Sequence, residues 1–179
     1  MTDLAWATLS SPVGPLAVAC SPAGLARVSF RATRRPAARP SRADPGRDQL
    51  LATARDQLAE YFAGQRQVFD LPVDWSGTSA AQRQVLGVLL GSVGFGETVT
   101  YGQLAQRAVA GPDGISLPAR AIGGIMGSNP IPVIVPCHRV VAGNGLGGYS
   151  GGTGIEVKRW LLIFEGALPA TLDWTPAGI

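Results

Sequence analysis

The chain has 179 residues, 46% of them hydrophobic, with a net charge of +3, two cysteines and one histidine. This is enough apolar material for one large or two small soluble domains, with no run near the ~20 apolar residues of a membrane span. Cys20 and Cys137 cannot build a disulfide framework, and together with a single histidine they fall short of the usual Cys/His metal sets, so neither a side-chain metal nor a cofactor is expected.

Residues 4–10, 15–20 and 25–30 are short apolar or alternating runs separated by turn residues, and they predict a strand meander. The segment 31–47 is rich in arginine and proline and reads as a solvated loop, either a solubilising linker or an arm that contacts phosphates. Leu50, Leu51, Ala54, Leu58 and Tyr61 or Phe62 then recur at helical spacing, with Ala63-Gly64 as the stop. Residues 68–75 predict a further strand, and Pro72 places it at an edge. These elements make an α+β domain over residues 1–75, in which Cys20 is most simply a core residue.

The remainder, residues 76–167, predicts a mostly helical domain, followed by a tail over 168–179. Ser79 and Thr100 are N-cap residues for two helices, and Leu117 to Met126 make another with Pro118 at its first position. The last two helices flank a turn at Gly111-Pro112-Asp113-Gly114 and have the pattern of a helix-turn-helix. Ala119, Ala121 and Gly123 give the second of them a small face, suited to a close approach to DNA or equally to close helix packing.

Cys137 and His138 follow the β-rich run Ile131 to Val135 and Pro136, which has no N–H to continue a ladder. A cysteine attacks as its thiolate, and a base or positive field beside it raises that fraction; His138 and Arg139 are placed to supply both. Packing is the competing reading, because cysteine is among the most buried residue types. The glycines of 143–152 formally contain G-x-G-x-x-G, but more glycines follow where the fingerprint needs a helix, so a loop covering a pocket is preferred to a dinucleotide site. Val157, Trp160, Leu161 and Phe164 then predict an amphipathic helix with Glu165 at its C-terminal end, where the dipole disfavours a carboxylate.

Pro136-Cys137-His138-Arg139-Val140-Val141 resembles the active-site motif of the O6-alkylguanine-DNA alkyltransferases. The resemblance runs from about Gln82 to Gly166, through Tyr101-Gly102-Gln103-Leu104-Ala105, Ala119-Arg120-Ala121-Ile122-Gly123-Gly124, Tyr149-Ser150-Gly151-Gly152 and Glu165-Gly166, and is far weaker in the first half. It implies direct repair of double-stranded DNA carrying O6-alkylguanine, or O4-alkylthymine, by single-turnover transfer of the alkyl group to Cys137. Cys137, His138 and Glu165 would form the activating relay. Tyr101, Asn129, Val140, Tyr149 and Ser150 would shape the base pocket, and Pro118, Ala119, Arg120, Ala121 and Gly123 would meet the minor groove, with Arg120 filling the gap left by a flipped nucleotide.

Some relatives carry a zinc in the first domain, for which this chain lacks the histidines. The segment from Tyr101 to Arg120 is longer than the family pattern, which bears on how the helix docks. For Tyr101 itself, core packing competes with a partly exposed ring among polar and small neighbours. The N-terminus lacks a signal-peptide pattern, so the protein is expected in the cytoplasm; it is read as a monomer, with cooperativity on DNA left open. Two other classes remain: a recognition protein that binds alkylated DNA without reacting, and a Cys-His hydrolase, for which no oxyanion motif is present.

Overall fold

The computed structural model describes residues 4–30, 44–111, 114 and 116–170, and divides into two compact units, Met1–Gly77 and Thr78–Ile179. The mixed α+β class expected from the sequence is the class observed. Among the described residues no helix is long and apolar enough to cross a membrane.

In the first unit, strands β1 (Ala5–Leu9), β2 (Leu16–Ser21) and β3 (Gly24–Ser29) form an antiparallel sheet in sequence order, with Ala5 opposite Cys20 and Ala17 opposite Ser29. Every residue of β2 is buried, Cys20 among them, and helix α1 (Pro45–Phe62) covers the sheet with Ala54, Leu58 and Tyr61. Asp44 caps α1 by accepting from the Arg47 N–H. The helix thus starts inside the segment read as a loop: Pro45 to Arg47 form its first turn, and Arg47 is buried. The rest of that segment, 31–43, lies outside the described residues.

The strand expected over 68–75 reduces to a single bridge between Leu25 and Val73. The two hydrogen bonds of that bridge, Leu25 N to Pro72 O and Asp74 N to Leu25 O, depend on Gly24: a Cβ there would lie 2.6 Å from the Pro72 oxygen.

In the second unit, α2 (Ala80–Ser92) and α3 (Tyr101–Ala110) each begin with a complete capping box, Ser79 with Gln82 and Thr100 with Gln103. Helix α4 (Ala119–Gly127) packs on both of them through Ile122, Ile125 and Met126. It begins one residue later than expected, because Pro118 is its N-cap instead of its first helical residue. In the turn before it, Pro112 and Asp113 lie outside the described residues.

The two-residue strands β4 (Val99–Thr100) and β5 (Val140–Val141) pair in parallel, joining the start of α3 to the chain just after Cys137. Helix α5 (Ile155–Phe164) completes the unit, with Val157, Lys158, Leu161 and Leu162 buried.

Candidate active site

The apolar run before Cys137 folds as a tight turn and not as a strand, and Asn129 closes it from both sides. Its Oδ1 accepts from the Ile131 N–H at 3.0 Å and its Nδ2 donates to the Val135 carbonyl at 2.9 Å, while Val135 N bonds Ile131 O at 2.9 Å. Inside this clasp, buried Val133 has φ +75°, a conformation that costs a β-branched residue roughly 1–3 kcal/mol. The apolar side chains of the turn are drawn into the core, and that burial offsets the strain. Pro136 ends the turn, and Cys137–Arg139 form one turn of 3-10 helix, from which Cys137 lines a cavity that His138 does not.

His138 and Glu165 are both fully buried, with Nε2 and Oε1 2.9 Å apart. Burial disfavours the Glu165 carboxylate, but His138 and Arg139 outweigh it and hold the group down at about 2, so it is ionised and can only accept. Nε2 of His138 therefore carries the donated hydrogen, and Nδ1 keeps a lone pair; Nδ1 is buried and has no hydrogen-bond partner among the described residues. Burial lowers the His138 pKa, which keeps the ring neutral and able to act as a base.

Arg139 is committed elsewhere than to the thiol. Its Nε and Nη2 donate to the two Glu165 oxygens at 2.8 and 2.9 Å, and Nη1 donates at 2.8 Å to the carbonyl of Val93, the C-cap of α2. It thus satisfies one of the carbonyls a helix end leaves open, and it explains how Glu165, the C-cap of α5, is tolerated against the dipole.

Cys137 lines a cavity of about 380 Å³ with Tyr101, Gly123, Met126, Gly127, Gly148, Tyr149 and Ser150. Burial raises the thiol pKa, opposed by hydrogen bonding to Asn129, the charge of Lys158 and hydrogen bonding to Tyr149. The Tyr101 hydroxyl is 3.4 Å from the Gly148 carbonyl, and burial followed by the charge of Cys137 raises its pKa. A Cβ at Gly147, where φ is +70°, would sit 3.0 Å from the Tyr101 ring, so glycine is what allows this loop to close over the tyrosine. Ser150 Oγ anchors the other end of the loop on the Gly127 carbonyl at 2.9 Å. A larger cavity of about 450 Å³, lined by Val141, Leu146, Leu162 and Leu168 among others, contains none of these groups.

Of the residues expected to act on the base, Tyr101, Cys137, Tyr149 and Ser150 share the first cavity. Asn129 lies behind it in the turn, and the Val140 carbonyl accepts from Lys158 at 2.6 Å, leaving one of its two lone pairs for another donor. Of the residues expected at DNA, Pro118, Ala119 and Arg120 are exposed at the start of α4, whereas Ala121 and Gly123 are half-buried, and a Cβ on Gly123 would lie 3.9 Å from Tyr101. Lys158 is absent from the sequence reading. Its signal was a lysine on the apolar stripe of α5, seven residues before Glu165 and next to Val157.

The 6-O-methylguanine DNA methyltransferase DNA binding domain matches residues 80–167, and the ribonuclease-like domain of the same name matches residues 4–75. The methylated-DNA–protein-cysteine methyltransferase of Mycobacterium tuberculosis is 39% identical over 160 residues, 88% of this chain and 90% of that protein. A Thermus thermophilus protein named as a DNA base-flipping protein is 38% identical over 162 residues, 89% of this chain and 99% of that one. The crystal structure of Mycobacterium tuberculosis OGT in complex with DNA superposes with a TM-score of 0.71 at 38% identity, covering 90% of this chain and 92% of that chain. With both domain models matched in order and relatives of this identity aligned along most of its length, the chain belongs to the 6-O-methylguanine DNA methyltransferase family.

Proposed function

We propose that the protein reverses alkylation damage in DNA by moving the alkyl group of O6-alkylguanine, and of O4-alkylthymine, onto its own Cys137 in a single turnover. The observation that carries this reading is the buried His138–Glu165 pair, which leaves a basic Nδ1 on the residue next to a cysteine at the wall of a base-sized cavity. The relatives' names, methylated-DNA–protein-cysteine methyltransferase and DNA base-flipping protein, and the related structure with DNA support the same reading.

In this mechanism His138 Nδ1 takes the Cys137 proton through a water, and Glu165 stabilises the imidazolium that forms. The sulfur attacks the alkyl carbon: the S–C bond forms, the C–O6 bond breaks, and its electron pair passes into the guanine. Tyr101 donates its hydroxyl proton to guanine N3, and the proton held by His138 restores the balance, so a thiol and an alkylguanine become a thioether and guanine. The Cys137 and Val140 carbonyls accept from the exocyclic amine, the Ser150 N–H bonds O6, and Tyr149 packs the pocket wall. A thioether is not readily hydrolysed, and each molecule acts once.

The target carbon is hidden in a duplex, so the nucleotide is flipped out at a cost of a few kcal/mol. Pro118, Ala119, Ala121 and Gly123 bring α4 against the minor groove, and exposed Arg120 enters the stack. The protein works in the cytoplasm as a monomer. The test is stoichiometry: repaired oligonucleotide should plateau at one equivalent per protein, and continued release beyond that would contradict single turnover. A recognition protein, the alternative reading, would bind the lesion tightly and leave it intact.

A further inference from the structure

Three ionisable groups beside the cavity leave no spare charge: Glu165 is ionised, Arg139 grips both its oxygens, and His138 is neutral. They leave no net positive charge for a thiolate. The other groups that face Cys137 are uncharged donors: Tyr101 at the start of α3, Asn129 after α4 and Tyr149 in the glycine loop. Lys158, on α5, differs from all of these. Its side chain is fully buried, and its Nζ donates to two main-chain carbonyls, Val140 at 2.6 Å and Gly148 at 3.2 Å, and lies 5.9 Å from the centre of the Tyr101 ring.

Carbonyls and a ring face solvate an ammonium without neutralising it, and among the described residues no carboxylate pairs with Lys158. A buried charge without an opposite charge is strongly disfavoured, so the site calls for an anion nearby. We propose that Lys158 is the electrostatic partner of the Cys137 thiolate, holding a buried sulfur anion in place while the same ammonium ties β5 to the glycine loop. The proposal rests on the reading of Cys137 as the nucleophile and makes Lys158 a positioning residue, since it does not touch the transferred group. The coupling is reciprocal: Lys158 lowers the thiol pKa against burial, and Cys137 raises that of Lys158, which burial brings down to about 8.

The test measures the rate of Cys137 carbamidomethylation by iodoacetamide against pH, located by peptide mass, in the full-length protein and in Lys158→Met, Lys158→Gln and Lys158→Arg. The midpoint should rise by at least about one pH unit in the Met and Gln variants, a tenfold loss of thiolate below the midpoint, and return toward the original value in the Arg variant. Unchanged midpoints, or a Gln variant that behaves as wild type while Met does not, would overturn the charge role. A second measurement keeps the lysine in place: NMR titration of Lys158 Nζ should give a lower midpoint in Cys137→Ser than in wild type, and identical midpoints would overturn the pairing. Neither measurement uses DNA, so a protein that shows the coupling yet fails to repair DNA would refute the proposed function alone.

Discussion

His138 and Glu165, 27 residues apart in sequence, meet through Nε2 and Oε1 at 2.9 Å with both side chains out of contact with solvent. The pairing fixes which imidazole nitrogen carries hydrogen, and so decides which one can act as a base.

Glu165→Gln should raise the midpoint of the pH profile of alkyl transfer, because an amide does not stabilise the imidazolium. It also leaves Arg139 buried without its partner, which should cost roughly 3–5 kcal/mol in urea unfolding. A transfer profile unchanged from wild type would remove Glu165 from the relay.

Stability should fall with acid in two stages. His138 has a lowered folded pKa, so the unfolded chain binds its proton first and stability declines as pH drops through about 6.5. Glu165, held at about 2 against an ordinary value of 4.5, contributes stability that is present above pH 4.5 and lost as pH falls toward 2, on the order of 3 kcal/mol. Urea midpoints measured across this range should show the second stage in wild type and not in Glu165→Gln.

Asn129→Ala removes both hydrogen bonds that close the turn holding Val133 at positive φ. About 1–3 kcal/mol of stability should be lost with each unsatisfied buried partner, and iodoacetamide should reach Cys137 at an altered rate even where the variant remains folded. A thiol reactivity identical to wild type would show that the turn holds its shape without the clasp.

Arg120→Ala should slow repair of a duplex far more than reaction with free O6-methylguanine, since the side chain is exposed at the start of α4 and away from the cavity lining. Equal effects on the two substrates would sink the intercalating role.

Much of the second unit was legible because its signals are local. The capping boxes at Ser79 and Thr100 are written within four residues each, and they set the starts of α2 and α3. Pro136 marked the end of one segment, and the turn at Cys137 follows from it. What escaped depends on distant partners. Ile131 to Val135 has strand composition but no strand to pair with, and the Asn129 side chain supplies the bonds a ladder would have given. The segment 68–75 failed as a strand for a related reason: at Gly24 and Leu25 it is admitted for one bridge only. Arg139 was read as a positive field for the thiol, yet Glu165 and the end of α2 take its donors. Lys158 was hidden inside an amphipathic pattern that tolerates one polar residue without comment.

The central claim is that Cys137 itself accepts the alkyl group, and intact-protein and peptide mass after incubation with a duplex carrying one O6-methylguanine tests it most directly. One added methyl group per protein, located on the Cys137 peptide and absent from Cys137→Ser while that variant still binds the duplex, is the predicted result. An unmodified Cys137 peptide from protein that binds the lesion tightly would contradict transfer and identify a protein that recognises the damage without repairing it.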